Sequence, residues 1–273
     1  MTVKRFWRIY APFGVLEWQW FFQYNAWFWV SLLRGVIGMV IMTAFWQAIY
    51  ASSVQSGQVT LEGLNLTTTL NYVILARAIG SANVPSVYFM IVQGISKGEL
   101  ELELLRPIDF QLMHLSRELA AWGLNFLRSL PALLIGIALF GARLPSDPTA
   151  YLAFLVTFIL GGVVLYFFEF LLACLAFYTT ESYGLSVLRD GVALFLSGAL
   201  IPLSFLPDIV ATIAGLTPFA QALYVPISFL SGVRDPSSLG SSVVTQLVSI
   251  AVLAVISRYV FSKSVRALTV QGG

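Results

Sequence analysis

The chain has few of the residues on which soluble proteins and most enzymes depend. Charged residues make up 10% of its 273 positions, whereas a soluble domain carries about a quarter. It contains one cysteine, Cys174, and one histidine, His114, which excludes an internal disulfide and the usual zinc sites. The nucleotide-binding pattern GxxxxGK[ST] and the metalloprotease pattern HExxH are missing. We therefore expect no catalytic residue, no metal ligand and no nucleotide hydrolysis by this chain alone.

Apolar residues are abundant instead. They make up 58% of the chain, and the mean hydropathy is +0.85. A helix needs about 20 mainly apolar residues to cross a bilayer, and long continuous runs favour helices over the short alternating strands of a barrel. We predict one all-α integral membrane domain over residues 1–273. Its six transmembrane helices are predicted at residues 26–50, 66–90, 119–140, 151–178, 184–203 and 241–261.

Residues 1–22 are predicted to form an interfacial helix rather than a cleavable signal peptide. Aromatic residues recur here at helical spacing, and the basic residues fall on the opposite face. This pattern suits the lipid headgroup layer. The alternative is an extension of the first span that carries interfacial aromatic residues.

The distribution of lysine and arginine predicts the orientation. With the amino terminus in the cytoplasm, most basic residues of the connecting segments fall on the cytoplasmic side. An even number of spans then places both termini there. The cytoplasmic set is Lys4, Arg5, Arg8, Lys97, Arg106, Arg117, Arg189, Lys263 and Arg266, against Arg143 and Arg234 outside.

Two apolar stretches contain helix-breaking residues. Pro85 predicts a break in the second span, because proline removes a helical hydrogen bond and disfavours helix at the residue before it. Residues 204–232 have too many breakers for a continuous span and predict two half-helices that dip into the outer leaflet, where protein or a wet cavity must cover the irregular backbone. The alternative is a loose outer loop. The prolines of this region are Pro202, Pro207, Pro218 and Pro226.

Charge is concentrated between the second and third spans, at residues 94–116. Glu99 and Glu103 are four residues apart and share one helical face, with Leu100 and Leu104 on the adjacent face. Pro107 is predicted to end this helix, and Asp109 to cap the next one. An acidic surface with apolar side chains suits a basic groove on a partner, while the alternative is a solvated loop. The candidate docking residues are Glu99, Glu101, Glu103, Leu104, Arg106, Pro107 and Asp109.

Three charged residues within predicted spans are candidates for function, because charge in a bilayer is costly. They are Arg34, Arg77 and Glu169. Two interpretations of Glu169 stay open: it pairs with an arginine between helices, or it faces a cavity and meets a cationic substrate. Arg128 is expected either to snorkel or to approach the cytoplasmic end of the third span, and to be structural.

The sequence GELELELLRP at residues 98–107 resembles the signature between the second and third spans of a type-two ATP-binding-cassette (ABC) permease family. Members of that family are described as multidrug or viologen exporters. PLSFLP at 202–207, followed by TPF at 217–219, is similar to the outer re-entrant hairpin of the same family. The order of these features along the whole chain strengthens the resemblance.

The resemblance implies a permease subunit that exports a hydrophobic, amphiphilic or lipid-like substrate by alternating access. Residues 94–116 would include the cytoplasmic coupling helix between spans 2 and 3, and the proline-rich hairpin between spans 5 and 6 would be an outer gate. The implied partners are two cytoplasmic ABC ATPase subunits, which bind the ATP and Mg²⁺, a second permease that is identical or similar, and membrane lipid. The implied location is a bacterial plasma (inner) membrane. No cofactor in this chain and no nucleic acid are expected.

Two alternatives come from other classes of protein. One is an integral membrane enzyme or lipid-modifying factor that acts without an ATPase, which should carry clustered polar residues at one membrane face. The other is a secondary carrier, which often has two internal halves. Neither signal is evident in the sequence.

Overall fold

A computed structural model of the chain describes residues 9–15, 17, 26–55, 60–61, 63–80, 82–178 and 182–271. Within these residues the regular elements are helices, and the only β pairing is an isolated bridge between Leu61 and Leu64. The predicted interfacial helix at 1–22 lies largely outside the described residues. Of that segment, residues 9–15 and 17 are helical.

The described helices follow one another with short connections. The first half contains α1 (Ala26–Gln55), α2 (Leu66–Ile79), α3 (Val87–Lys97), α4 (Leu100–Leu104) and α5 (Phe110–Phe140). The second half contains α6 (Pro148–Ala173) with a 3₁₀ turn at Cys174–Phe177, then α7 (Ser182–Leu196), α8 (Asp208–Leu216), α9 (Pro218–Ala222), α10 (Tyr224–Ser231) and α11 (Leu239–Gln271).

Four helices of the described chain are long and apolar enough to cross a membrane. They are Phe28–Ser53, Phe110–Phe140, Pro148–Phe177 and Pro236–Arg266. A fifth candidate is the pair Asp208–Leu216 and Pro218–Ser231, whose axes differ by 73°. The chain is thus an all-helical membrane protein with four or five candidate spans. The four long helices overlap the predicted spans at 26–50, 119–140, 151–178 and 241–261.

The predicted spans at 66–90 and 184–203 do not form helices of spanning length. The first is divided into α2 and α3, which confirms the break expected near Pro85. The second is reduced to α7, which ends at Leu196 because Gly198 adopts a left-handed backbone with φ of 78°. Tyr72 donates a hydrogen bond to the Gly198 carbonyl at 2.9 Å and fixes this turn.

The third predicted span begins earlier than the predicted residue 119. The Asp109 carboxylate accepts a hydrogen bond from the Leu112 amide at 3.0 Å, so the helix begins at Phe110. This confirms Asp109 as a helix cap. Helix α5 contains 31 residues and is therefore about 46 Å long. It reaches from the charged loop to the opposite end of the molecule.

Helix α6 is the centre of the fold. In its most apolar part 61% of the residues are buried, far more than in the other long helices. Helices α3, α9, α10 and α11 all pack against it. Gly162 allows a close approach, because a Cβ there would lie 2.9 Å from the Trp122 ring.

Two apolar clusters lie at the two ends of this arrangement. One joins α2 with the hairpin of α8 to α10 and includes Tyr72 and Phe229. The other joins α3, the start of α5 and the end of α6, and includes Tyr88 and Phe170. The break between α2 and α3 falls where one cluster gives way to the other.

Candidate functional site

The charged loop is folded tightly between α3 and α5. Helix α3 ends at Gly98, which has a φ of 68° and donates its amide hydrogen to the carbonyls of Gly94 and Ile95. The Glu99 amide bonds to the Gly94 carbonyl at 2.9 Å, and α4 follows at once. Residues 94–98 match the letters GxSxG of a hydrolase elbow, but Ser96 lies within a helix and bonds to the Val92 carbonyl. Ser96 therefore lacks the sharp strand-to-helix turn on which a nucleophile elbow depends.

One face of α4 is attached to the body of the protein. Leu100 is 2% exposed. Glu103 accepts a hydrogen bond from Arg117 at 3.1 Å, and His114 Nε2 lies 3.3 Å from its other oxygen. The contacts with His114 and Arg117 lower the pKa of Glu103 to about 2. Glu103 therefore stays ionised at neutral pH and ties α4 to α5.

The end of the loop is attached as well. The Asp109 amide donates to the Tyr10 hydroxyl at 3.2 Å, and the Asp109 carboxylate forms an ion pair with Arg258 of α11. The guanidinium of Arg106 lies 5.7 Å from the centre of the Phe13 ring. The loop is thereby held by the amino-terminal helical residues, by α5 and by α11.

The outer face of α4 is free of such contacts among the described residues and presents both charge and apolar surface. Glu99 and Glu101 are exposed. Leu102 and Leu105 are 68% and 80% exposed, large values for leucine next to a charged surface. The apolar side chains available to a partner are thus not Leu100 and Leu104.

A second feature is the hairpin that enters the middle of α6. A Cβ at Gly161 would lie 2.1 Å from the Gln221 carbonyl oxygen, so only glycine permits this backbone contact. Gly161 lies halfway along α6, about 20 Å from its first residue. The turn between α9 and α10 is therefore buried at mid-depth in the helix bundle.

Two buried amide side chains satisfy the backbone at that turn. Asn83 donates to the carbonyls of Phe158 and Ala222 at 2.9 and 3.1 Å. Gln246 donates to the carbonyls of Thr157 and Gln221 at 3.0 and 3.1 Å. Each amide thus bridges α6 and the hairpin. An irregular backbone at this depth requires such partners, because lipid offers none.

A cleft of about 660 Å³ opens beside this junction. Residues of both helix breaks line it, among them Gly80 and Leu223. Its other walls come from α1, α2, α5, α6 and α7. Its charged side chains are Arg34, Arg77, Arg128, Arg189, Glu169 and Asp190.

Arg189 forms ion pairs with both carboxylates that line the described part of the cleft. Arg189 Nη1 lies 2.5 Å from Glu169 Oε2, and Arg189 Nη2 lies 2.8 Å from Asp190 Oδ1. The side chains of Arg189 and Glu169 are only 7% and 3% exposed. The Arg189 guanidinium also lies 5.3 Å from the ring centres of Tyr88 and Phe89. The pair therefore joins α7 to α6 and to α3.

A family model for the ABC-2 family transporter protein matches residues 36–272. The chain belongs to the ABC-2 transporter family. A search of the curated proteins finds no match to it. Membership in this family makes the chain the membrane component of a transporter rather than an enzyme, and it implies an association with an ABC ATPase.

The structure divides the candidate docking residues of this ABC-2 chain into two groups. Glu99, Glu101, Arg106 and Pro107 are exposed, whereas Glu103, Leu104 and Asp109 contact the body of the protein. The second group positions the loop. Leu102 and Leu105 were not predicted, because a helical pattern defines two faces without indicating which face is covered.

The three charged residues predicted within spans, Arg34, Arg77 and Glu169, all line the cleft. Glu169 pairs with Arg189, as the first interpretation has it, and it also lines the cleft, which the second interpretation requires. Arg34 and Arg77 line the same cleft without joining that pair. Arg128 also lines the cleft and lies well inside α5.

The hairpin prolines lie at helix boundaries. Pro207 precedes α8, Pro218 begins α9, and Pro202 precedes the 3₁₀ turn Leu203–Phe205. Pro226 is buried within the first turn of α10. Sequence reasoning missed Asn83 and Gln246 as the residues that hold the hairpin. A polar amide within an apolar run was the only available signal.

Proposed function

We propose that the chain is the permease subunit of an ATP-driven exporter of a hydrophobic, amphiphilic or lipid-like substrate. The single observation that carries the proposal is the family match over residues 36–272. Since the sequence lacks a nucleotide-binding loop, ATP and Mg²⁺ bind to separate cytoplasmic ATPase subunits. The chain itself contributes a binding site whose affinity for substrate differs between two states.

The proposed topology has six crossings. Helices α2 and α3 together form one broken crossing, α7 forms a short one, and α8 to α10 form a re-entrant hairpin on the outer side. The burial of the Gln221 backbone against Gly161 supports a hairpin that enters the bilayer and turns back. Six crossings place both termini in the cytoplasm, in agreement with the positive-inside rule. The resemblance to exporters favours a bacterial inner membrane.

Coupling to the ATPase follows from how the charged loop is held. In the proposal, the exposed face of α4 seats in a groove of the ATPase, with Leu102 and Leu105 as its apolar contacts. The Glu103–Arg117 hydrogen bond fastens α4 to α5, which runs the length of the molecule. A displacement of α4 by the ATPase is therefore transmitted along α5 to the walls of the cleft.

A second permease subunit completes the transport pathway in this proposal. Helices α1 and α7 both line the cleft, and both expose large apolar side chains, among them Leu33, Ile37, Leu188 and Phe195. A second copy of this chain, or a similar permease, would cover these faces. Alternating access then requires the two permeases to move relative to each other around the cleft.

The docking of α4 is tested by paired substitutions. We expect the double variant Glu99→Lys and Glu101→Lys, and separately Leu102→Asp with Leu105→Asp, to lower the amount of ATPase that co-purifies with the tagged chain. These side chains are exposed, so the folded chain should be retained. The control is Asp208→Lys, an exposed acid in the hairpin. ATPase recovery equal to that of the control would contradict the docking role.

A further inference from the structure

The charge of the cleft is strongly unbalanced. Four arginines line it, against two carboxylates. Both carboxylates contact the same arginine, since Glu169 and Asp190 bind Arg189. The acidic charge in the cleft is therefore already engaged at one wall.

Two of the other arginines have no carboxylate partner within the described part of the chain. Neither Arg34 nor Arg77 forms an ion pair there. Arg34 is exposed on α1. The stem of Arg77 lies against Gly38, where a Cβ would be 3.3 Å from Arg77 Cδ, and its buried Nε has no hydrogen-bond partner. Gly38 thus leaves the space that lets Arg77 extend across α1 toward the cleft.

Both arginines lie on apolar helices that the proposed topology places in the bilayer. Arg34 is within the candidate span Phe28–Ser53, and Arg77 is near the end of the apolar helix α2. A charged side chain costs about 3 kcal/mol or more at the centre of a membrane helix, and such residues mark substrate or ion pathways. Guanidinium groups are also suited to two-pronged contacts with phosphate or carboxylate.

We propose that the cleft binds an anionic amphiphile whose phosphate-bearing headgroup contacts Arg34 and Arg77. Its hydrocarbon chain lies along the exposed apolar faces of α1 and α7, which border the cleft. The inference names the substrate class of the proposed permease and so rests on that function. The volume of about 660 Å³ is ample for a headgroup, since ligand pockets span roughly 300–1,000 Å³.

The same charges argue against a cationic substrate. A cation would meet Arg34 and Arg77 directly. The two acids of the cleft, Glu169 and Asp190, both contact Arg189, at 2.5 and 2.8 Å. A like charge in a low-dielectric cleft is repelled strongly. The cleft is therefore unsuited to the dicationic viologens exported by some proteins that the sequence resembles.

The first test compares two amphiphiles of equal chain length on the unmodified chain. Dodecyl phosphate and dodecyltrimethylammonium are titrated onto the protein in neutral maltoside detergent, and bound adducts are measured by native mass spectrometry. Dodecyl phosphate is expected to bind more tightly. Tighter binding of the cation would overturn the proposal. Because this test uses the unmodified chain, its result does not depend on whether a variant folds.

The second test removes the two arginines. The double variant Arg34→Gln and Arg77→Gln is expected to weaken dodecyl phosphate binding by about tenfold per arginine, as for other charge-assisted hydrogen bonds. The control Arg143→Gln removes an exposed arginine from a loop and should leave binding unchanged. The charge-preserving pair Arg34→Lys and Arg77→Lys should retain most of it. Equal loss in the control and the double variant would contradict the assignment.

Inorganic phosphate distinguishes a headgroup from a free anion. We expect millimolar inorganic phosphate to leave dodecyl phosphate bound, because the apolar chain contributes to the affinity. Displacement at equal concentration would overturn the amphiphile assignment. None of these binding measurements requires an ATPase. A chain that purifies without an ATPase would contradict the proposed transporter, whereas only the binding measurements decide whether the cleft takes an anionic amphiphile.

Discussion

We predict that removing either partner of the ion pair between α6 and α7 destabilises the fold, but by different amounts. Removing Arg189 as Arg189→Met leaves the Glu169 carboxylate buried at 3% exposure without a cationic partner. Breaking a buried pair in this way costs about 3–5 kcal/mol. Removing the other charge as Glu169→Gln is milder, because Arg189 keeps Asp190 at 2.8 Å and the rings of Tyr88 and Phe89. The loss of one charge-assisted hydrogen bond costs about 1.5–3 kcal/mol.

Thermal unfolding of the purified chain in nanodiscs measures the difference. One kcal/mol corresponds to about 2–4 °C for a chain of this size, so Arg189→Met should lower the transition by roughly 10 °C and Glu169→Gln by about half as much. The apolar double variant Glu169→Leu with Arg189→Met should recover most of the loss. A Glu169→Gln variant less stable than Arg189→Met would refute this reasoning. Recovered stability without transport would assign the pair a role in function.

Three further substitutions test other contacts. Glu103→Gln should speed amide hydrogen exchange across residues 100–104, whereas Glu101→Gln should not. The pKa of Glu103 is lowered to about 2, so its ion pair stabilises the fold fully above the unfolded pKa of about 4.3 and loses that effect as the pH falls toward 2. Amide exchange at acidic pH measures this loss. Gly161→Ala should destabilise the chain and displace the hairpin, since its Cβ would lie 2.1 Å from a carbonyl oxygen, whereas Gly123→Ala, with open space around it, should raise the melting temperature slightly. Gln246→Leu removes two buried hydrogen bonds that join α11 to α6 and to the hairpin, and should cost about 1–3 kcal/mol in chemical denaturation.

Local signals in the sequence were sufficient for several elements. Asp109 caps α5 because a carboxylate there reaches the Leu112 amide, an arrangement that depends only on neighbouring residues. The break near Pro85 follows from proline chemistry in the same way. The long apolar runs of α1, α5, α6 and α11 needed no tertiary information beyond their length.

Features that depend on tertiary contacts could not be predicted. The early end of α7 requires the turn at Gly198, which Tyr72 of a distant helix stabilises. One interpretation paired Glu169 with an arginine, but Arg189, the partner in the structure, had been assigned to a cytoplasmic segment. Whether Leu100 or Leu102 is exposed depends on which face of α4 packs against the rest of the protein. The helical pattern carries no information about that.

The cleft illustrates the same limit. Arg34, Arg77, Arg128 and Arg189 lie on four different helices, and none of them adjoins another basic residue in the sequence. Their common position follows only from how α1, α2, α5 and α7 are arranged around α6. The sequence indicated only that charged residues within apolar spans are functional candidates. The structure shows that these arginines line one cleft.

The most direct test of the transporter proposal is affinity purification of the tagged chain from its native membrane in mild detergent, with the co-eluting proteins identified by mass. We predict a stoichiometric ATPase that carries the GxxxxGK[ST] loop, and its loss when Glu99 and Glu101 are replaced by lysine. A chain that elutes without any nucleotide hydrolase in several detergents would contradict the proposal and favour a membrane protein that acts alone.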